Sequence, residues 1–234
     1  MIEIRSLNKK FGPLTVLDGL DVDLEKGKTY VVLGPNGSGK TTLIKCMIGM
    51  VLPDGGSIAI FGNSISKKWT YRSKVDYMPQ IATFPPNLRV EELLDFIEKL
   101  RGHAPRRSEL IDRFGVEPYL KKRLSNLSGG TRQKVNIVLS MMFDSELVIL
   151  DEPTTGLDPV ALLRLKELIQ EEQEGGKTII ITTHIMSFVR EVATEILFLL
   201  EGRKYFQGSI DELTKLTGEA DLEHAIARIL EKEQ

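Results

Sequence analysis

Cysteine, histidine, net charge and long apolar runs are all scarce in this 234-residue sequence, and each scarcity excludes a class of protein. A single cysteine, Cys46, excludes an internal disulfide and is expected to pack in the core, and the three histidines form no ligand cluster. A formal net charge of -2 gives no electrostatic basis for binding nucleic acid. The longest apolar runs are too short to span a bilayer and the N-terminus lacks signal-peptide character, so we expect a cytoplasmic protein.

A glycine-rich segment, residues 34–42, is the most informative feature that is present. It follows the apolar run of residues 29–33 and fits the phosphate-loop pattern G-x-x-x-x-G-K-[ST] at every fixed position. We refer to it as the phosphate loop; it consists of Gly34, Pro35, Asn36, Gly37, Ser38, Gly39, Lys40, Thr41 and Thr42. Glycine allows backbone N–H groups to approach phosphate oxygens, and a helix N-terminus adds its dipole. The pattern predicts that Lys40 contacts the β- and γ-phosphates and that Thr41 ligates magnesium.

A pair of acidic residues, Asp151 and Glu152, follows the apolar run of residues 147–150. This run predicts a buried parallel strand, and ligands of open α/β sheets bind at the carboxyl ends of such strands. We expect Asp151 to hold a hydrated magnesium ion and Glu152 to act as the general base on an attacking water. The alternative is that both acids only cap the turn after the strand.

A second glycine-containing motif, Leu127-Ser128-Gly129-Gly130, lies between these two elements. Ser128 is a predicted N-cap, and the amides of Gly129 and Gly130 are predicted to form another anion site. Two phosphate cradles in one small chain indicate that two surfaces meet around one nucleotide. Together, the phosphate loop, this motif and Asp151-Glu152 resemble the ATP-binding cassette (ABC) family, the nucleotide-binding subunits of ABC transporters, over nearly the whole chain.

The resemblance implies roles for further residues. Phe11 matches the aromatic that stacks on adenine, usually a tyrosine, although an ordinary core phenylalanine is the alternative. Gln80 matches the glutamine that contacts magnesium and the attacking water, and His184 matches the switch histidine at the γ-phosphate. Asp158 matches the aspartate that communicates across a dimer. Thr131 departs from the family, which usually has glutamine there, and its shorter side chain is expected to affect the tuning of dimer closure.

The predicted fold is α/β: a P-loop NTPase core with a mostly parallel sheet, an N-terminal antiparallel β-subdomain and an inserted helical subdomain. We expect one domain over residues 1–234, with the helical subdomain at about 85–143 and C-terminal helices at about 209–234. Strands are predicted at 147–151, 178–183 and 195–200. One helix stripe is predicted to contain Val90, Leu93, Leu94, Ile97 and Leu100. The C-terminal helices are expected to cover the core, with a partner contact as the alternative.

The resemblance also implies an activity and partners. It implies an ATPase that uses ATP and Mg²⁺, with Lys40, Gln80, Glu152 and His184 as catalytic residues. Two copies are expected to enclose two ATP molecules head to tail, with Ser128, Gly129, Gly130 and Asp158 acting across the dimer. A transmembrane permease subunit is the second expected partner, and it alone holds the chain on the cytoplasmic face of the membrane. No nucleic-acid partner is expected.

Finer assignments rest on two segments. Residues 77–85 and 127–136 resemble exporter ATPases of the ABC-2 type, and among these they are similar to the cassette of the copper-processing system that matures nitrous oxide reductase. A generic exporter of drugs, lipids or polysaccharides is the alternative. A soluble ABC ATPase of translation or DNA repair is another, although the short globular interval before residue 127 argues against the repair type. Whether the dimer contains two copies or a second cassette stays open, with the homodimer favoured.

Overall fold

Two β-sheets and the helices packed on them make up the chain, and the computed structural model describes residues 1–66 and 69–232. The strands are β1 Ile2–Phe11, β2 Leu14–Leu24, β3 Thr29–Leu33, β4 Gly55–Ile60, β5 Asn63–Ser64, β6 Val75–Met78, β7 Leu147–Asp151, β8 Thr178–Thr182, β9 Glu195–Leu200 and β10 Arg203–Gly208. The helices are α1 Lys40–Met47, α2 Val90–Arg101, α3 Arg107–Arg113, α4 Gly129–Met141, α5 Pro159–Glu174, α6 Met186–Val192, α7 Ile210–Thr217 and α8 Leu222–Lys232.

The N-terminal sheet is antiparallel and has the strand order β2-β1-β4-β5. Ile4 of β1 pairs with Val22 of β2 on one side and with Ile58 of β4 on the other, and all three side chains are buried. Alternate residues of these strands face the core because side chains alternate between the two faces of a sheet. The antiparallel subdomain expected from the sequence is therefore present.

The central sheet has six strands in the order β10-β9-β3-β8-β7-β6. β9, β3, β8, β7 and β6 run parallel, and β10 returns antiparallel beside β9. Every residue of β3, β7 and β8 is buried, as expected for parallel strands covered on both faces. The fold class predicted from the sequence is confirmed, and the carboxyl ends of these strands meet at one edge.

Apolar side chains fill two cores, one on each face of the central sheet. The first lies between the two sheets and includes Tyr30, Ile44 and the buried thiol of Cys46, as the sequence predicted. The second lies under the helices and includes Phe188 and Phe198. None of the described helices has the length and apolar character needed to span a lipid bilayer.

Helices α2, α3 and α4 occupy the interval between β6 and β7. The predicted place of Leu100 on the apolar stripe of α2 is wrong. Val90 and Leu94 are buried as expected, but Leu100 is 71% exposed. At about 100° per residue, Leu100 lies about 80° from Val90 around the helix, whereas Arg101 lies within about 20° of it. Arg101 therefore faces inward, where it pairs with the buried carboxylate of Asp76.

The C-terminal helices α7 and α8 pack on the second core. Leu213, Leu222, Ala225 and Ile229 are buried there, which supports the expectation that these helices cover the core. An ion pair between Arg190 of α6 and Glu223 of α8 lies at the margin of this contact. The predicted segment extends to residue 234, and residues 233 and 234 lie outside the described part.

Candidate nucleotide-binding site

Four parallel strands deliver their following segments to one edge of the central sheet. β3 leads into the phosphate loop, β6 leads to Gln80, β7 ends at Asp151 before Glu152, and β8 is followed two residues later by His184. The phosphate loop, Gln80, Asp151 and Glu152 line one cavity of about 250 Å³. The structure therefore brings Lys40, the predicted metal-ligating residues and the predicted general base together in one chain.

The phosphate loop needs glycine at three positions. Gly34, Gly37 and Gly39 have φ values of 145°, 83° and 99°, a region that other residues rarely adopt. A Cβ added to Gly34 would lie 2.1 Å from the carbonyl oxygen of Leu199, and one added to Gly39 would lie 2.8 Å from the carbonyl oxygen of Val16. Backbone conformation favours glycine at all three positions, and close packing excludes a side chain at Gly34 and Gly39, whereas a Cβ on Gly37 would meet nothing within 4 Å.

The loop is arranged to receive an anion. The ammonium of Lys40 donates hydrogen bonds to the carbonyl oxygens of Gly34 at 2.8 Å and Pro35 at 3.0 Å, so it lies across the loop. Burial lowers the pKa of Lys40, and the nearby carboxylates of Glu152 and Asp151 oppose that shift. The Ser38 hydroxyl is buried and has no hydrogen-bond partner among the described residues.

Two polar residues of the phosphate loop, Asn36 and Thr42, also line cavities. Asn36 lines both the 250 Å³ cavity and a second cavity of about 510 Å³, and Thr42 lines the first. The second cavity is also lined by Glu152 and His184, and by apolar side chains that include Ile226 of α8. The loop therefore borders a polar cavity on one side and a partly apolar cavity on the other.

Thr182, which the sequence analysis did not single out, organises both acidic residues. Its hydroxyl donates to a carboxylate oxygen of the buried Asp151. The backbone N–H of Glu152 donates to the carbonyl oxygen and the hydroxyl oxygen of Thr182, each at 3.0 Å. The register of β7 against β8, which places Asp151 beside Thr182, creates these contacts. In the sequence, the one sign of this role is a polar residue at the end of a buried strand.

Glu152 has an unusual backbone conformation and a close histidine neighbour. Its φ is 52°, which is uncommon outside glycine and is a form of strain found at functional sites. Its Oε2 lies 3.0 Å from Nδ1 of His184. The Glu152 side chain is 12% exposed and that of His184 is 76% exposed. A sheltered carboxylate is thus aimed at the cavity beside an imidazole that remains accessible.

The side chains of Thr41, Gln80 and Asp151 provide a possible magnesium site in the smaller cavity. Hydroxyl, amide and carboxylate oxygens are hard ligands of the type that Mg²⁺ prefers, and Mg²⁺ usually takes few protein ligands together with substrate phosphates. Over residues 1–66 and 69–232, no group of three or more His, Cys, Asp or Glu side chains could hold a metal ion alone. This donor set fits a magnesium ion that arrives with a nucleotide.

Six predicted site residues line neither cavity: Ser38, Ser128, Gly129, Gly130, Asp158 and Phe11. Ser128 caps α4 by accepting a hydrogen bond from the Thr131 N–H at 3.3 Å, as the sequence predicted. Asp158 caps α5.

Phe11 ends β1 with half of its side chain exposed. On that side of the cavity the wall consists of Leu14 and Val16, which the sequence analysis did not name. The role of Phe11 at the adenine ring stays a prediction.

Comparison with known proteins agrees with this geometry. Residues 17–155 match the protein family described as ABC transporter. The chain is 31% identical to an uncharacterized ABC transporter ATP-binding protein, YhaQ of Bacillus subtilis, over 95% of this chain and 76% of that protein. It is 32% identical to the Nod factor export ATP-binding protein I of Ralstonia nicotianae, over 91% and 68%. It is 33% identical to the bacitracin transport ATP-binding protein BcrA of Enterococcus faecalis, over 92% and 71%.

Solved structures give the same result. The ATP-binding subunit of an ABC transporter superposes with a TM-score of 0.91 at 28% identity, covering 98% of this chain and 99% of that one. A dimeric ATP-binding cassette bound to ADP and phosphate has the same fold, with a TM-score of 0.79 at 22% identity over 89% of this chain and 98% of that one. The chain therefore belongs to the ABC transporter family, as an ATP-binding subunit that hydrolyses ATP.

Proposed function

We propose that this chain powers a membrane exporter by closing around ATP as a dimer and reopening after hydrolysis. One observation carries the proposal. The cavity at the sheet edge unites Lys40, Gln80 and Glu152, whereas Ser128 lies outside it although the family uses its motif to contact ATP. A site that needs both groups is completed by another subunit.

Hydrolysis is assigned to the residues around Glu152. The phosphate loop and Lys40 bind and orient the triphosphate, and positioning with charge stabilisation supplies most of the catalysis in phosphoryl transfer. The Glu152 carboxylate accepts a proton from the attacking water, and His184, 3.0 Å away, holds that carboxylate in place. Thr41, Gln80 and Asp151 would hold a magnesium ion, which would supply positive charge beside the phosphate oxygens.

Dimer formation is assigned to the exposed start of α4. Ser128, Gly129 and Gly130 present backbone N–H groups and a helix N-terminus, which favour a phosphate. In the proposed dimer they contact the ATP bound to the phosphate loop of the other copy, and Asp158 lies near the same interface. A cassette with the same fold is described as dimeric with ADP and phosphate bound, which supports dimer formation. Because the motifs for ATP hydrolysis are intact in this chain, we favour a homodimer.

The permease subunit is proposed to dock in an apolar groove of about 700 Å³ beside Gln80. The groove lies between the segment after β6 and the helices α2 and α4, and its walls include Phe84, Leu88, Phe96 and Leu139. Phe96 is 57% exposed, and the adjacent Ile81 is 79% exposed. Large exposed apolar side chains around a groove are typical of a protein interaction site. A cytoplasmic helix of the permease bound in this groove would lie next to Gln80, which lines the ATP cavity.

Export is the proposed direction of transport because one relative is named for Nod factor export, while another is named for bacitracin transport without a direction. The narrower resemblance to the copper-processing cassette stays a prediction, since neither of these relatives is described in terms of copper. The transported molecule does not contact the ATPase in this account, so its identity depends on the permease.

The test is to isolate the partner of a closed dimer. Tagged Glu152→Gln chain would be expressed in its native host, held with ATP, solubilised from membranes under mild conditions and analysed by mass spectrometry. We expect a polytopic membrane protein in stoichiometric amount. Recovery with ribosomes or DNA and without a membrane protein would instead favour the soluble ABC class.

A groove variant provides the matched control. Phe96→Asp in the Glu152→Gln chain should abolish recovery of the membrane protein, because a charge would occupy the apolar groove. ATP-dependent dimerisation should persist, because Phe96 lies outside both ATP cavities. Undiminished recovery with this variant would exclude the groove as the permease site.

A further inference from the structure

We propose that a cluster of exposed basic side chains beside the permease groove binds anionic lipid headgroups at the surface of the membrane. Arg89, Lys121, Lys122 and Arg123 form this cluster, all four are exposed, and we call them the basic cluster. The inference rests on the proposed permease site, because that site sets which face of the chain meets the bilayer. It adds a direct lipid contact to the contact with the permease.

Backbone pairing brings the two parts of the basic cluster together. Arg89 and Arg123 are opposite residues in an isolated antiparallel bridge. The backbone N–H of Val90 donates to the carbonyl oxygen of Lys122 at 3.1 Å, which continues the same contact. Side chains of directly opposite residues lie on one side of a strand pair, with their Cβ atoms about 4.5–5.5 Å apart. The fold therefore holds two arginine side chains next to each other.

Little negative charge compensates the basic cluster. Arg89 forms one ion pair, a long one of 3.9 Å with Glu91, and half of its side chain stays exposed. The carboxylate of Glu92 accepts the backbone N–H of Arg89 at 2.8 Å. The ammonium of Lys122 lies over the ring of Tyr119, 4.8 Å from its centre. Within residues 1–66 and 69–232, the other three members of the cluster form no ion pair with a carboxylate. Because like charges on opposite residues destabilise a strand pair, this arrangement favours an anion from outside the chain.

The basic cluster lies at the rim of the apolar groove proposed for the permease. Leu88 lines that groove, and its carbonyl oxygen accepts the backbone N–H of Leu124 at 2.9 Å. The carbonyl oxygen of Pro86 accepts the backbone N–H of Ser125 at 3.3 Å. The segment with three consecutive basic residues is thus joined to one wall of the groove. A permease embedded in the bilayer reaches the groove from the membrane side, so this rim faces the bilayer.

Lipid headgroups fit these charges better than the permease does. The cytoplasmic loops of membrane proteins carry an excess of lysine and arginine, so a basic cluster beside them would meet like charge. The cytoplasmic leaflet contains anionic lipids, and each lysine or arginine near its surface strengthens binding about fivefold. The attraction decays over about 8 Å at physiological ionic strength. Since the net charge of the chain is -2, the attraction comes from the cluster and not from the chain as a whole.

The experiment measures binding of the purified chain to lipid vesicles. Sedimentation with vesicles of phosphatidylglycerol, which is anionic, is compared with sedimentation with vesicles of phosphatidylcholine, which has no net charge. The double variant Lys121→Gln/Lys122→Gln removes two charges from the cluster. The matched control Lys204→Gln/Lys215→Gln removes two exposed charges elsewhere, one on α7 and one on β10, at the opposite edge of the central sheet from β6.

We expect the unsubstituted chain to bind phosphatidylglycerol vesicles and not phosphatidylcholine vesicles, and about 0.5 M NaCl to abolish the binding. Lys121→Gln/Lys122→Gln should lower the partition coefficient about 25-fold, because two contributions of about fivefold are lost. The matched control should lower it by less than about threefold, because its charges lie away from the cluster. Both double variants should hydrolyse ATP at the unsubstituted rate, since none of the four lysines lines an ATP cavity.

Three results would overturn the inference: equal binding to the two kinds of vesicle, no binding to either kind, or equal losses in the two double variants. A fourth concerns the permease. If Lys121→Gln/Lys122→Gln abolishes recovery of the membrane protein with Glu152→Gln while vesicle binding is unchanged, the cluster contacts the permease and the lipid assignment is wrong. Vesicles contain no permease, so recovery of no membrane protein at all would refute the proposed function, and vesicle binding would still decide the lipid contact.

Discussion

Individual residues of the ATP site fall into two groups, those that the motifs predicted and those that only the fold reveals. Lys40, Asp151 and Glu152 were predictable because the chemistry of phosphate binding requires these residue types at fixed places in the sequence. Thr182 was not, because its contacts join two strands that are remote in sequence. A threonine at the end of a buried strand has no pattern that distinguishes it before the strand register is known.

Thr182→Val tests the contribution of the Thr182 hydroxyl. The substitution preserves shape and removes the donor to Asp151 and the acceptor for the Glu152 N–H. We expect the rate of ATP hydrolysis to fall about 10- to 100-fold, as for residues that orient metal ligands, with ATP affinity changed far less. Single-turnover hydrolysis and equilibrium ATP binding measure the two quantities.

Thr29→Val is the matched control for that substitution. Thr29 lies on β3 of the same sheet, and its hydroxyl is buried without a hydrogen-bond partner among the described residues. Removing an unpaired buried hydroxyl is expected to be neutral or slightly stabilising. Equal losses of activity in the two variants would show that the effect comes from the sheet and not from the contacts of Thr182.

The thiol of Cys46 provides a residue-scale test of the core. Burial raises the pKa of Cys46 to about 11, so near pH 8 the folded chain has little thiolate. We expect a thiol-specific reagent to react roughly 10²-fold or more slowly with the native chain than with the chain unfolded in urea. The single cysteine makes the signal unambiguous. Similar rates in both states would place Cys46 outside the core.

The same shift gives a pH dependence of stability. The raised pKa means that the unfolded chain releases the Cys46 proton at a lower pH than the folded chain does. As the pH rises from about 9 towards 11, the unfolded state binds fewer protons than the folded state, and the free energy of unfolding decreases. Urea titrations at pH 8 and pH 10 should show this decrease, and Cys46→Ala should show less of it.

At the scale of the elements, strands were easier to predict than the faces of helices. The parallel strands are continuous apolar runs because both faces are covered, and such runs are conspicuous in a sequence. The stripe of α2 was extended one position too far, to Leu100, because apolar character alone does not show where a helix turns away from the core. Arg101 occupies the inward position through its ion pair with Asp76, a contact that depends on β6.

Paired substitutions in α2 test that orientation. Leu94→Ala removes a fully buried side chain and is expected to lower the free energy of unfolding by about 2–5 kcal/mol. Leu100→Ala changes an exposed side chain and is expected to alter it by less than about 0.5 kcal/mol. Urea unfolding of both variants gives the comparison. Equal losses would contradict the placement of Leu100 at the surface.

For the whole molecule, the two-sheet architecture and the residues expected to act on ATP were predictable from the sequence. The position of Ser128 relative to the other predicted ATP-site residues became visible only in the structure. The cavity at the sheet edge holds the phosphate loop, Gln80 and Glu152, and Ser128 lies outside it. Resemblance to a family suggested an intermolecular site. The geometry agrees with the proposed dimer, because Ser128 does not line the cavity that holds Lys40 and Glu152.

The mass of the chain in the presence of ATP tests this central claim most directly. Light scattering of Glu152→Gln should give the 26.3 kDa chain mass without nucleotide and twice that mass with saturating ATP. Adding Ser128→Arg should keep the chain monomeric while ATP still binds, because the phosphate loop is intact. If the Glu152→Gln variant stays at 26.3 kDa while one ATP is bound per chain, the proposed ATP-dependent dimer is contradicted.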